Sequence, residues 1–194
     1  MSLPTILQRA KALGYKVFEG DAEYDLNIIG VRSKDTTVNV FNDLLTVTFK
    51  IKGQWHTRSF TVTTDPGLYW MQNPMRVTGC AQLCLGQYRG AYKIGKHRGQ
   101  YNALVQTGAE VKIFRDPDKD GTFDQDSETI SEGYFGINIH RASYRRTSKQ
   151  VDKWSAGCQV FADPDEFAEF MKLCNKQVSV NGWESFTYTL LEEW

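Results

Sequence analysis

Two short stretches contain residues whose types and spacing suit chemistry. One is Phe135-Gly136-Ile137-Asn138-Ile139-His140-Arg141. The other is Trp154-Ser155-Ala156-Gly157-Cys158-Gln159-Val160-Phe161. A cysteine attacks a carbonyl as its thiolate, and histidine is the usual neighbour that takes the proton. Ser-Ala-Gly ahead of Cys158 keeps the backbone N–H groups open to a substrate carbonyl, because small side chains leave room for close approach. Ile137 and Ile139 alternate with Asn138 and His140, so a strand here that faces the core with its isoleucines turns His140 toward a cleft or solvent. On adjacent strands, Cys158 and His140 form a nucleophile–base pair.

The elements that must hold this pair read as strand-rich. Leu45, Val47, Phe49 and Ile51 alternate with Thr46, Thr48 and Lys50, the pattern of a half-buried strand. Lys52-Gly53-Gln54 turns the chain into Trp55–Thr64, and Asp65-Pro66-Gly67 ends that strand. Tyr101–Gln106 and Glu110–Arg115 read as a hairpin about Thr107-Gly108-Ala109. Two helices are signalled. The first has Ser2 as cap, Pro4 in the first turn, and Ile6, Leu7, Ala10 and Leu13 on one face, with Gly14 at its end. The second has Asp163 as cap, Glu166 three residues on, and Pro164 at the first position. Phe167, Phe170, Met171 and Cys174 form its buried stripe. The expected class is mainly β, α+β, with a few peripheral helices. The expected organisation is a single domain over 1–194, in which 1–37 is an N-terminal helix and extension.

The two stretches resemble the catalytic domain of the L,D-transpeptidases, cysteine enzymes that act on peptidoglycan stem peptides. That family's signature is His, about 14–17 residues, then Ser/Thr-His-Gly-Cys. Here 14 residues separate His140 from Ser155, and Gly157-Cys158 follow in register. Gly136-Ile137-Asn138-Ile139-His140 is similar to the family's Gly-Ile-His strand with a small insertion. Thr63-Thr64-Asp65-Pro66-Gly67 and Leu85-Gly86-Gln87-Tyr88 stand where the family has a strand-turn and a Gly-x-aromatic element. The resemblance covers roughly residues 38–178 and implies an L,D-transpeptidase-like β-sandwich or barrel.

It also implies roles. Cys158 is the nucleophile and His140 the base. The N–H groups of Cys158 and Gly157, with Ala156 as a further donor, hold the oxyanion. Either a backbone carbonyl or the Ser155 hydroxyl orients the imidazole. Ala156 replaces the motif's second His, and Gln159 and Val160 replace the Arg and Asn that commonly follow the Cys. Carboxylate recognition then falls to Arg141, or to Arg145 and Arg146. Asn138, Ala156 and Gln159 complete the expected substrate-binding set. The implied activity is acyl transfer or hydrolysis through a thioester, as an L,D-carboxypeptidase, L,D-endopeptidase or L,D-transpeptidase. The alternative is a non-catalytic module that keeps the fold and binds cell wall or protein.

Other signals bound this reading. The 194 residues are 41% hydrophobic and 24% charged, with 23 basic and 23 acidic residues, a balance that disfavours binding to nucleic acid by phosphate neutralisation. No stretch approaches a transmembrane helix. Gln8, Arg9 and Lys11 break up Met1 to Leu13, so no secretory signal is expected. A protein of this kind is made in the cytoplasm and acts at the bacterial wall or periplasm after release or delivery, as a phage or prophage lysin does. Cys80 and Cys84 read as structural thiols or, in an oxidising compartment, a disulfide. His56 and His97 read as structural or surface histidines, the second in a basic turn, Gly95-Lys96-His97-Arg98-Gly99. Asp116, Asp118, Asp120 and Asp124 match the start of a calcium loop, but Ser127 stands at the twelfth position. Calcium is the less favoured reading, and no cofactor is expected.

Overall fold

A computed structural model describes residues 2–194. In chain order the elements are α1 (Thr5–Ala12), β1 (Asn27–Arg32), β2 (Asp43–Ile51), β3 (Gln54–Thr63), α2 (Leu68–Gln72), β4 (Cys80–Leu83), β5 (Gly86–His97) and β6 (Tyr101–Gln106). There follow β7 (Val111–Asp116), a 3-10 turn (Ser127–Thr129), β8 (Ser131–Gly133), β9 (Ile139–Arg141), β10 (Gln159–Phe161), α3 (Pro164–Asn181) and β11 (Ser185–Glu192). Eight strands close into a barrel in the order β1-β11-β5-β6-β9-β10-β3-β2, and β4-β7-β8 form a separate small sheet. The expected class, mainly β with a few helices, is what the chain adopts.

Two pairings in the barrel are parallel, β1 with β11 and β9 with β10. The second one matters most for the site. It sets Gln159 beside Ile139 and Val160 beside His140.

The lysine–glycine turn forms as expected. Lys52 and Gly53 both have positive φ, 50° and 72°, and β2 pairs with β3 directly across them, the two-residue turn that follows strand twist. The second helix also forms as read. The Asp163 carboxylate accepts from the N–H groups of Asp165 and Glu166, and Gly182 ends α3 in the left-handed region. Glu166 does not complete a capping box, since its carboxylate accepts the Thr61 N–H of β3 instead. Phe167, Phe170, Met171 and Cys174 are buried, packed with Phe60 and Phe161.

Four expectations need correction. Residues 1–37 hold a strand besides the helix and extension, because β1 lies within them and closes the barrel between β11 and β2. Pro4, not Ser2, stands at the cap of α1, and no side chain caps it. β2 is buried on both faces. Thr46 and Thr48 are buried along with Leu45 and Val47. Leu7 and Ala10 of α1 pack with Val17, Ile29 and Leu191 over the outside of neighbouring strands. Finally, β6 and β7 are not a hairpin. β6 belongs to the barrel and β7 to the small sheet. Between them the N–H groups of Thr107 and Gly108 both donate to Ala91 O. A Cβ on Gly108 would lie 2.0 Å from Gly90 O, so the crossing depends on a residue without one.

Cys80 and Cys84 are both free and buried. They begin and follow a single extended strand, which separates their Cα atoms by roughly 13 Å, twice the reach of a disulfide.

Candidate active site

The pairing of β9 with β10 decides what faces what. Ile139 is buried in the core, and Gln159 beside it is fully buried, accepting from the Tyr188 hydroxyl at 2.9 Å. Residues alternate, so His140 and Val160 share the opposite face, while Cys158 directly precedes β10, outside its paired residues. The register therefore brings the two candidate stretches side by side, with Cys158 two residues before the partner of His140. Gln159 is removed from the substrate-binding set by its burial inside the barrel.

His140 faces away from the core isoleucines, but it is only 4% exposed. The expectation of an open, solvent-facing imidazole is corrected by His97. That ring stacks on His140 with centroids 4.0 Å apart and planes 21° apart. His97 is not part of a solvated turn. It ends β5, and the left-handed pair Arg98 and Gly99 folds the chain straight back to Tyr101. The Gly-Lys-His-Arg-Gly pattern carried this signal, since an X-Gly pair between two alternating runs is hairpin chemistry.

Of the two expected orienters of the imidazole, the backbone carbonyl is the one in contact. His140 Nδ1 donates to Arg141 O at 2.8 Å, which leaves the lone pair on Nε2. The Tyr101 hydroxyl donates to the same carbonyl at 3.1 Å. The Ser155 hydroxyl does other work. It donates to Cys158 O at 2.8 Å and accepts the Gly157 N–H at 3.2 Å, closing a tight turn just before the cysteine. That second bond takes up the Gly157 N–H expected at the oxyanion. Among the described residues the N–H groups of Ala156 and Cys158 have no hydrogen-bond partner.

The turn is anchored from both sides. Gly67 N donates to Ser155 O at 2.9 Å, and the Trp70 indole donates to Lys153 O at 3.1 Å. A buried arginine steadies the Thr64–Gly67 segment: Arg32 Nε donates to Thr64 Oγ1 at 2.9 Å and lies 3.1 Å from Asp65 Oδ1. Gly157 has φ +119°, and a Cβ there would sit 2.7 Å from Ala81 O. Only glycine fits that backbone.

Gln106 organises the other strand. Its Oε1 accepts three successive N–H groups, from Phe135, Gly136 and Ile137, at 2.9–3.1 Å. This fixes Gly136, whose carbonyl is the 3.5 Å partner of Cys158 Sγ. Nothing in the sequence spacing flagged Gln106. Asn138, expected to touch substrate, has both ends engaged inside the protein. Its Oδ1 accepts Gln106 N at 2.9 Å, which forces Nδ2 to be the atom 3.1 Å from His97 Nδ1. Arg141 is not aimed at a groove either. Its guanidinium lies 4.0 Å over the Tyr101 ring. Arg145 bonds the Tyr144 hydroxyl on the exposed loop.

The electrostatics are those of a neutral pair. Burial and the adjacent His97 hold His140 down to about 3. Burial, with Arg98 adding to it, holds His97 down to about 4. Burial pushes the Cys158 thiol up to about 11, against weaker pulls from the Asn138 N–H and Arg98. Among the described residues no hydrogen bond joins Cys158 to His140. These shifts favour a thiol beside a neutral imidazole at rest.

The aspartates of the acidic loop bend back on themselves. Asp116 accepts from Asp118 N, Asp118 from Asp120 N, and Asp120 from Thr122 N and Oγ1. Among the described residues no three His, Cys, Asp or Glu side chains gather as metal ligands would. No helix is long and apolar enough to cross a membrane.

Set against family models, curated proteins and solved structures, the chain matches none of them.

Proposed function

We propose that this chain is a cysteine-dependent acyl-transfer or hydrolytic enzyme acting on peptidoglycan stem peptides, through a thioester on Cys158. The observation that carries the reading is the parallel register of β9 and β10, which sets Val160 beside His140 with Cys158 two residues before it. With Nδ1–H held by Arg141 O, Nε2 is the basic atom.

In this mechanism the substrate carbonyl enters beside Cys158, and His140 Nε2 takes the thiol proton as sulfur attacks. The Sγ–C bond forms, and charge on the oxygen falls to the Cys158 and Ala156 N–H groups. The C–N bond breaks as the imidazolium returns its proton to the leaving amine. Water then gives a carboxylate product, or a second amine gives a cross-link. A neutral resting pair suits this sequence, because proton transfer and attack are then coupled.

The competing reading is a non-catalytic module that retains the fold. It draws on the high thiol value and on the absence of a Cys158–His140 bond among the described residues. Mass spectrometry of stem peptides and wall sacculi separates the two. The protein should release a terminal residue, cleave a cross-bridge or exchange an amine, and Cys158→Ala should do none of these while unfolding at the same temperature. Full turnover by Cys158→Ala would remove the proposal.

A further inference from the structure

Two arginines flank the site at positions the sequence did not single out. Arg76 lies in the segment after α2, and Arg115 lies on β7 of the small sheet. Two adjoining hollows share Arg76, Arg115 and Phe135. The inner one, about 70 Å³, reaches Ile137 and Ala156, and the outer one, about 450 Å³, opens past Thr129 and Ser131. Ile137 follows Gly136, the residue whose carbonyl contacts Cys158 Sγ, and Ala156 is two residues before Cys158. The inner hollow is therefore lined by residues one to two positions from Gly136 and Cys158, in the segments that lead into β9 and β10.

The charge in this cleft is uncompensated. Among the described residues neither Arg76 nor Arg115 is in an ion pair, and no acidic side chain lines either hollow. Asp116, next to Arg115, points to the other face of its strand and accepts from Asp118 N. Arg115 is partly buried and held in place. Nη1 donates to Gly79 O at 3.3 Å, and the guanidinium lies 5.3 Å from the Phe135 ring centroid. Its remaining N–H donors have no protein acceptor among the described residues. Arg76 is close enough that its charge, after burial, destabilises the Arg115 cation. Two like charges held together beside an apolar wall of Trp70 and Met75 are stabilised by one small anion between them.

We propose that Arg76 and Arg115 form a subsite for a free carboxylate on the substrate peptide, about one residue from the scissile carbonyl. This rests on the reading of Cys158 as the nucleophile and deepens it. In a tetrapeptide stem three groups carry such chemistry, the free α-carboxylate of a γ-linked glutamate, the distal carboxylate of the diamino acid and the C-terminal carboxylate. The subsite takes over carboxylate recognition from the position after the cysteine, where Gln159 is sealed inside the barrel.

The test uses the full chain with Cys158→Ala, so that peptide binds without turnover, and synthetic tetrapeptide stems titrated calorimetrically. One stem is free, and the others are amidated singly on the glutamate, on the diamino acid or at the C-terminus. Amidating the recognised carboxylate should weaken binding about tenfold to a hundredfold, the worth of charge-assisted hydrogen bonds. Arg76→Ala and Arg115→Gln should weaken the free stem similarly and abolish the discrimination, with Arg115→Lys restoring part of it. Equal affinity for all four stems, or no binding of any, would overturn the subsite. Turnover by the unsubstituted protein is scored separately. Discriminating binding without turnover removes the enzyme and keeps the subsite. Turnover indifferent to amidation keeps the enzyme and removes the subsite.

Discussion

The ring of His97 lies flat against that of His140, 4.0 Å between centroids, with Asn138 Nδ2 directed at its Nδ1. Because the other end of Asn138 is fixed by Gln106 N–H, His97 must accept at Nδ1 and carry its proton on Nε2. Protonating Nδ1 would set two donors against each other and place a cation on the face of the His140 imidazole. The stack is therefore a device for keeping both rings neutral.

Stability should follow from that neutrality. Both histidines have folded-state values, about 4 and about 3, below the ordinary 6.5. Below 6.5 the unfolded chain binds protons that the folded chain refuses, so this contribution is present above 6.5 and is lost as pH falls toward 4. Asp43 works in the opposite sense. Burial and then Asp65 raise its carboxyl to about 6, so its contribution is lost as pH rises through 6. Comparing Tm between pH 7 and pH 4 for the native chain and His97→Gln isolates the histidine part, since Asp43 is common to both. The native chain should lose more on acidification. Parallel curves would contradict the neutral stack.

Asn138→Asp should reverse the His97 titration. A carboxylate keeps the bond from Gln106 N but accepts rather than donates toward the imidazole. His97 should then rise from about 4 to above the ordinary 6.5, as read by NMR of the imidazole protons. The new cation beneath His140 should lower turnover at neutral pH.

The thiol makes its own prediction. With Cys158 held at about 11, its alkylation by iodoacetamide should be slow at pH 7 and climb close to tenfold per pH unit to about pH 10. A plateau reached below pH 8 would instead reveal a resting thiolate–imidazolium pair. Turnover should be less pH-dependent than alkylation, because His140 removes the proton only as substrate arrives.

Gly157→Ala should damage both fold and site. The residue has φ +119°, and the added methyl would meet Ala81 O at 2.7 Å. The cost is about 2 kcal/mol or more, a fall in Tm of roughly 4–8 °C. Because the Ser155–Cys158 turn must open to admit it, turnover should fall further than stability, as thermal unfolding and peptide assays measured together will show.

The sequence made some features legible for physical reasons. Strand alternation placed Ile139 inside and His140 on the other face, and Asp163-Pro164 with the Phe167–Cys174 stripe marked α3, because these signals are local. What was illegible depended on distant partners. His97 read as structural or surface alike until β9 supplied His140 as its stacking surface. Gln106, Arg76 and Arg115 carry no local pattern, since each gains meaning only from backbone or charge brought in from elsewhere. Gln159 and Asn138 had suitable chemistry near the motif, but the register turned one into the barrel and tied up the other. The false hairpin at 107–109 shows the same limit: turn residues mark a reversal without saying which sheet receives the next strand.

The parallel joining of β9 to β10 also bears on how the proposed site is assembled. Parallel neighbours need a long crossover, here the run between Arg141 and Gln159, and β10 must also find β3, nearly a hundred residues earlier. Pairings of such sequence separation are slow to form, because a long loop must close before the contact rewards it. A half-assembled chain therefore holds Cys158 apart from the strand that bears His140, and the proposed chemistry would have to wait for the barrel to close.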